Sequence, residues 1–197
     1  RLLDAGGNEV EVELDQDGLW QYEDLALLDF ADGTGPCANQ SAATHTTIEG
    51  EAPAGDYTGI RFVLGVPFDL NHGDALASPP PLDNTDMQWN WNGGYKFVRI
   101  DHTSAAQPNG WNVHLGSTGC TPGGNPSTPA VSCANGHRVE VTFSTFDIAS
   151  DVVVADLGRL LAGADVAVNA ANTARGCMSF PGDADGPPVM NNFGLDY

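Results

Sequence analysis

Basic residues are scarce in this chain. Among its 197 residues, seven Lys and Arg stand against 26 Asp and Glu, which gives a formal net charge of −19. Phosphate binding needs clustered cations, so this charge excludes nucleic acid as a partner class and argues against anionic membrane surfaces. Long hydrophobic runs are also lacking, because no stretch reaches the ~18 apolar residues that a membrane-spanning helix needs. We therefore expect a chain without a membrane span.

Cysteine is limited to four positions, and no CxxC pair occurs among them. This absence disfavours a zinc site, although four reduced thiols remain an alternative. Cys120 and Cys133 bracket a segment rich in Gly, Pro, Ser and Thr, which has no core of its own, so a disulfide across it is expected. The chain begins with Arg1 and carries no signal peptide, from which we expect a removed leader or missing N-terminal residues. Both observations favour an exported protein, periplasmic or extracellular.

Long helices are not expected, because 24 Gly and 13 Pro commit much of the chain to turns and loops. A hydrophobic content of 41% is nevertheless enough for a packed core. Alternating or short apolar runs predict strands over residues 10–14, 24–30, 57–66, 89–91, 95–100, 111–115, 137–143 and 152–154. One short helix is predicted from an Asp156 cap through Leu161, and residues 67–86 are predicted to form an ordered functional loop. The pattern predicts one all-β domain over residues 1–197, an antiparallel β-sandwich of jelly-roll or Ig-like type with long loops.

No metal-binding or catalytic motif can be identified from spacing alone. The five histidines form neither HxH nor HExxH, and no GxSxG, P-loop or dinucleotide fingerprint is present; they are His45, His72, His102, His114 and His137. His72 lies in the long predicted loop, and His114 lies on a predicted strand, on the face opposite Trp111. Two such imidazoles could meet only through the fold, where soft Cu(I) accepts two or three ligands. A single histidine at such a position is more often a satisfied polar residue.

An acidic turn near the C-terminus offers a weak calcium hypothesis. The run Asp183-Ala184-Asp185-Gly186 resembles the start of a calcium loop, but the glutamate that would complete the loop is absent. A solvated turn is therefore the favoured interpretation.

Three blocks of the chain resemble the signature of the MbnP family. They are GVPFDLNHGDALASPPPLDNTDMQWNWNGGYKFVRID, VHLGSTGC and GCMSFPGDADGPP, and they occur in the family's order. The family comprises methanobactin-associated and copper-repressible periplasmic or surface proteins, and it is related to the copper-binding proteins CorA and MopE of methane-oxidising bacteria. The resemblance extends from about residue 26 to residue 195, which is nearly the whole chain.

The resemblance implies an exported β-sandwich that binds one copper ion as Cu(I) and takes part in copper acquisition or homeostasis. It assigns the copper ligands to His72 of LNHGD and His114 of VHLGSTGC. A tryptophan oxidised to kynurenine is a further ligand in such proteins, produced by a di-haem partner enzyme of the MauG type. Trp111 and Trp91 are the candidates here, without preference between them. On this interpretation the chain is not itself an enzyme.

Two departures from the family pattern matter. The second cysteine of the last block is missing, so Cys177 either pairs with Cys37 or stays free. The first N-terminal strand of relatives is not recognisable, so it is either missing or supplied by another chain. Strand donation would make the protein a structural or surface-assembly module with incidental metal binding, and this is the main alternative. An oligomer would then be expected.

An enzyme, either a copper oxidase or a glycoside-active protein, is a further alternative that lacks a recognisable catalytic set.

Overall fold

Short strands make up most of the regular structure. The computed structural model describes residues 1–35, 42–90, 93–122 and 128–196. The chain divides into two compact units, residues 1–62, 75–84 and 142–152 in the first and residues 63–74, 85–141 and 153–197 in the second. Its strands are β1 (Leu2–Asp4), β2 (Glu9–Val10), β3 (Glu13–Leu14), β4 (Gln21–Tyr22), β5 (Leu25–Ala26), β6 (Gly50–Glu51), β7 (Tyr57–Leu64), β8 (Gln88–Asn90), β9 (Gly94–His102), β10 (Trp111–Gly116), β11 (Thr118–Thr121), β12 (Ser132–Asn135), β13 (Val139–Phe143) and β14 (Gly176–Cys177).

Within the described residues, three short α-helices and two 3₁₀ turns interrupt the strands. The helices are α1 (Phe68–Asn71), α2 (Leu157–Leu160) and α3 (Gly186–Asn192), and the 3₁₀ turns are Ala75–Ala77 and Thr85–Met87. One four-stranded sheet has the order β13-β7-β1-β2 and another the order β14-β10-β9-β8. Two-stranded ribbons join β11 to β12, β3 to β6 and β4 to β5. Between described strands every pairing is antiparallel except that of β10 with β14, so the prediction of an all-β fold of antiparallel sheets is confirmed.

Local polar contacts set the first turns of the first unit. Asp4 accepts backbone hydrogen bonds from Gly6 and Asn8 through one carboxylate oxygen, which closes the turn between β1 and β2. The predicted strand over residues 10–14 is divided because β2 pairs with β1 whereas β3 pairs with β6. Strands β2 and β3 belong to different sheets, so the alternation of apolar and acidic residues extends across a break at residues 11–12.

The core of the second unit forms where β10 packs under α3. Trp111, Val113 and Leu115 are each 1% exposed, and alternate residues of β10 face the other way, as predicted. The remaining buried members of this core are Phe97, Cys177, Val189 and Met190. Each large apolar side chain buried in this way contributes roughly 1.5–3 kcal/mol to stability relative to an exposed one. The core therefore fixes β10, and with it the outward direction of His114.

Helix α3 lies in a tail that the sequence pattern predicts to be loop, and that prediction is wrong. Pro187 and Pro188 suggest a break, yet both stand in the first turn of the helix, where proline removes no intrahelical hydrogen bond. Val189 and Met190 are completely buried in the core, so packing stabilises the helix.

Other element predictions have mixed outcomes. Helix α2 is confirmed, with Asp156 accepting a hydrogen bond from the Arg159 backbone at 3.1 Å. Residues 152–154 do not pair as a strand with any described residue; Val152 and Val154 are 80% and 77% exposed, so β propensity alone does not make a strand there. Residues 24–30 contain only β5 and an isolated bridge between Asp29 and His45.

No helix among the described ranges has both the length and the apolar character needed to span a bilayer. That the chain forms a single domain over residues 1–197, lacking a first strand, stays a prediction.

Candidate metal centre

His72 is held at the end of a one-turn helix in the second unit. The carbonyl of Pro67 accepts hydrogen bonds from the Leu70 and Asn71 backbones, which closes α1, and His72 follows as its C-cap residue. Its side chain is buried, with only 6% of the residue exposed. The Phe68 ring lies against the imidazole with a centroid separation of 4.9 Å. Part of the predicted long loop is thus a helix that turns one histidine inward.

Asn71 determines which nitrogen of His72 carries a proton. The Tyr95 backbone N–H donates to Asn71 Oδ1 at 2.8 Å, and this fixes the orientation of the amide because a backbone N–H needs an acceptor. Asn71 Nδ2 therefore faces His72 Nε2 at 3.2 Å and donates to it. Since Nε2 accepts, the imidazole is the neutral form with its proton on Nδ1.

Gly94 allows this arrangement. Its φ is +73°, and a Cβ there would lie 2.6 Å from both amide heteroatoms of Asn71. The glycine-glycine turn in front of β9 thus leaves the space that the Asn71 amide needs to reach the Tyr95 backbone.

The predicted disulfide between Cys120 and Cys133 is present. The two cysteines face each other in register across the β11–β12 ribbon, and Cys133 Sγ lies 3.3 Å from His72 Nε2. Within the described parts of the chain, His72, Cys120 and Cys133 are the group of three or more potential metal ligands whose donor atoms all lie within 4.8 Å of one another. Disulfide sulfurs are poor ligands because metals bind the thiolate, so in the oxidised protein only the histidine of this group offers a strong donor.

His114 is held by a carboxylate on the neighbouring strand. It lies on β10 opposite Arg99 of β9, and its Nε2–H donates to Asp101 Oδ1 at 2.7 Å. Asp101 Oδ2 in turn accepts from Arg99 Nε at 2.8 Å. This chain of contacts orients the imidazole and leaves Nδ1 as its available nitrogen, as a carboxylate does for many metal-binding histidines.

The charges around His114 agree with a neutral imidazole beside an ionised acid. Burial lowers the pKa of His114, and the hydrogen bond to Asp101 opposes that effect only in part. For Asp101, burial disfavours ionisation, but the hydrogen bonds from His114 and Arg99 outweigh it and lower the pKa of the carboxyl. At neutral pH the pair is therefore neutral imidazole and carboxylate, with the shared proton on His114.

The candidate tryptophans differ in position. Trp111 is part of the core, on the face of β10 opposite His114, and its Nε1 has no hydrogen-bond partner among the described residues. Trp91 lies outside the described residues. Trp89 was predicted to lie on a strand with Trp91 but was not among the candidates for oxidation. Its ring lies against Gly116 and stacks on Phe180 with a centroid separation of 5.8 Å. Gly116 is two residues after His114 on β10. A glycine at this strand position was the sequence signal that a large ring, here Trp89, packs against the backbone.

The remaining candidate residues are the other two cysteines and the acidic turn near the C-terminus. Cys177 is completely buried and forms no disulfide with any described residue, whereas Cys37 lies outside the described residues. Burial raises the pKa of the Cys177 thiol to about 11. Asp183 accepts hydrogen bonds from the Met178 and Asp185 backbones, so its oxygens stabilise a turn. Calcium binding by this turn stays a weak prediction.

The structure therefore places His72 beside the disulfide and His114 beside Asp101, each on its own element of the second unit. These features define an all-β protein that presents two neutral imidazoles, each held by a polar neighbour, and a cross-strand disulfide.

Comparisons with known proteins give the family. The sequence model of the MbnP family matches residues 1–179. A solved structure, MbnP from Methylosinus trichosporium, is 37% identical and superposes with a TM-score of 0.78 over 95% of this chain and 71% of that one. The chain belongs to the MbnP family, and the predicted sandwich-like class agrees with this similarity. No curated protein matches the chain.

Proposed function

We propose that this protein is an exported copper-binding protein of copper acquisition or homeostasis, in which His72 and His114 bind one Cu(I) ion. The observation that carries the proposal is the fixed state of His72. A buried imidazole is kept neutral, with the lone pair of Nε2 accepting from Asn71. Because Nε2 carries no proton, a metal ion would have to displace only the hydrogen bond from Asn71 in order to bind there.

His114 supplies the second ligand. Asp101 accepts the Nε2–H of this imidazole, so Nδ1 is the nitrogen that would bind the ion. Two neutral imidazoles suit Cu(I), a soft ion that is stable with few ligands. The residues present thus fit the metal that membership of the family suggests.

Binding, not catalysis, is the proposed role. The ligand set leaves room for a third donor, and a kynurenine made from tryptophan by a di-haem partner of the MauG type would be one. Trp91 remains the candidate from the sequence, whereas Trp111 faces the core and is less suited to contact an ion bound by His114. Conversion would add one oxygen and remove one carbon, a rise of about 4 Da in intact mass.

The chemistry of the chain supports an exported location. A disulfide such as that between Cys120 and Cys133 is typical of an oxidising compartment, here the periplasm or the cell surface. The net charge of −19 would attract metal cations and a basic protein partner to the surface. At physiological ionic strength salt screens this attraction beyond ~8 Å.

The test is a Cu(I) titration of the oxidised full chain against a chromophoric chelator. The wild type should bind one Cu(I), and the His72→Ala, His114→Ala double variant should bind none. A His45→Ala, His102→Ala double variant removes the same number of imidazoles and should retain one ion. One Cu(I) bound by both double variants would overturn the proposal.

A further inference from the structure

The Cys120–Cys133 disulfide lies beside His72 and contains two potential soft-metal donors. Cys133 Sγ lies 3.3 Å from Nε2, the nitrogen that carries no proton and accepts a hydrogen bond from Asn71. Both cysteines are partly accessible, whereas His72 is buried. A small dithiol in solution could therefore reach the sulfurs, and the imidazole would stay within the protein.

We propose that this disulfide is a redox gate, and that opening it creates a second site in which Cys120, Cys133 and His72 hold one soft ion. In the opening step the thiolate of a dithiol attacks one sulfur, and the S–S bond breaks. The second thiol of the reductant then closes its own disulfide. Two electrons pass from the dithiol to the protein, and the cysteines become two thiols. A bound ion displaces their two protons, because thiolates are the ligands.

The dimensions suit such a site. With metal–sulfur bonds of about 2.3 Å and metal–nitrogen bonds of about 2.0 Å, the donor atoms of one ion stand roughly 3.5–4 Å apart. His72 Nε2 and Cys133 Sγ are already 3.3 Å apart, and all three donors lie within 4.8 Å of one another. Only the two sulfurs must separate, to about 4 Å, which side-chain rotation on facing strands supplies.

Reduction would thus change the donors available at this position from one imidazole to two thiolates and one imidazole. Thiolates select Cu(I) strongly, so the reduced protein should bind that ion more tightly than the oxidised one. The gate shares His72 with the proposed copper site but does not require His114, so the two proposals can fail separately.

The test compares the full chain oxidised and after treatment with a dithiol that is removed under argon. Cu(I) buffered by a chromophoric chelator is the probe, and ultraviolet thiolate-to-copper absorption and protection of the cysteines from alkylation are the readouts. Reduction should strengthen Cu(I) binding and produce both signals in the wild type and in His114→Ala. Cys120→Ser, Cys133→Ser should show neither signal, and His72→Ala should lose most of the gain.

Two results would overturn the gate: no gain in the reduced wild type, or an equal gain in reduced His72→Ala. If His72→Ala does not fold by circular dichroism, His72→Gln replaces it under the same criteria. Loss of copper binding by the oxidised chain alone would instead count against the proposed function and leave the gate standing.

Discussion

Replacing Asn71 with aspartate should weaken copper binding while the fold is kept. Aspartate has the shape of asparagine and still offers an oxygen to the Tyr95 N–H, which now lies 2.8 Å from Asn71 Oδ1. Its second oxygen would replace the amide nitrogen that lies 3.2 Å from His72 Nε2. Two acceptors cannot face each other without a proton between them, so Nε2 would become protonated.

The magnitude follows from that proton. A carboxylate and an imidazolium 3.2 Å apart attract each other by about 5 kcal/mol at an effective dielectric constant of ~20, before the cost of burying the charges. Copper must displace the proton against this attraction. Burial offsets much of it, so we expect the loss of Cu(I) affinity to be about 10–100-fold, the range found when a group that orients a ligand is changed.

The assay is a Cu(I) competition titration, combined with ¹⁵N NMR of the His72 ring to locate its proton. Asn109→Asp makes the same chemical change at an exposed position and should bind copper like the wild type. Urea unfolding should show Asn71→Asp folded and destabilised by about 1–3 kcal/mol. Equal copper affinities for Asn71→Asp and Asn109→Asp, with both proteins folded, would refute the role given to the Asn71 amide.

Three further changes test other parts of the structure. Gly116→Ala would put a Cβ 2.7 Å from the Trp89 ring, so urea unfolding should show a loss of about 1–3 kcal/mol, and unchanged stability would contradict that packing. Burial raises the pKa of the Cys177 thiol to about 11. The free energy of unfolding should therefore keep its full value below pH 9 and fall by about 2–3 kcal/mol as the pH rises to 11. Cys177→Ala should abolish this fall, whereas a wild type without it would contradict the buried thiol. Asp101→Asn removes the charge beside His114 and should weaken Cu(I) binding at least about tenfold; unchanged binding would argue against Asp101 as its orienting group.

The sequence patterns predicted the strands that carry the site better than the segments around them. Alternation along residues 111–115 correctly put Trp111 and His114 on opposite faces of β10, with Trp111 on the face that the core covers. The same reasoning was wrong for residues 152–154, where apolar β-branched residues stay exposed and unpaired within the described structure. A sequence pattern indicates the conformation that a segment prefers, but a strand also needs a neighbouring strand with which to pair.

The candidate centre was predictable in its residues but not in its contacts. His72, His114 and the Cys120–Cys133 disulfide all follow from the sequence or the family resemblance. The contact between the disulfide and His72 does not, because 61 residues separate Cys133 from His72 and only the fold brings them together. Asn71 also escaped notice, since an asparagine before a histidine has no distinctive pattern until its amide is seen to accept from Tyr95.

X-ray absorption spectroscopy on the oxidised, Cu(I)-loaded full chain would show the copper ligands themselves. We expect two imidazole nitrogens and no sulfur bound to the copper, with one imidazole lost in His114→Ala. Bound sulfur in the oxidised protein, or an unchanged number of imidazoles in that variant, would refute the two-histidine site.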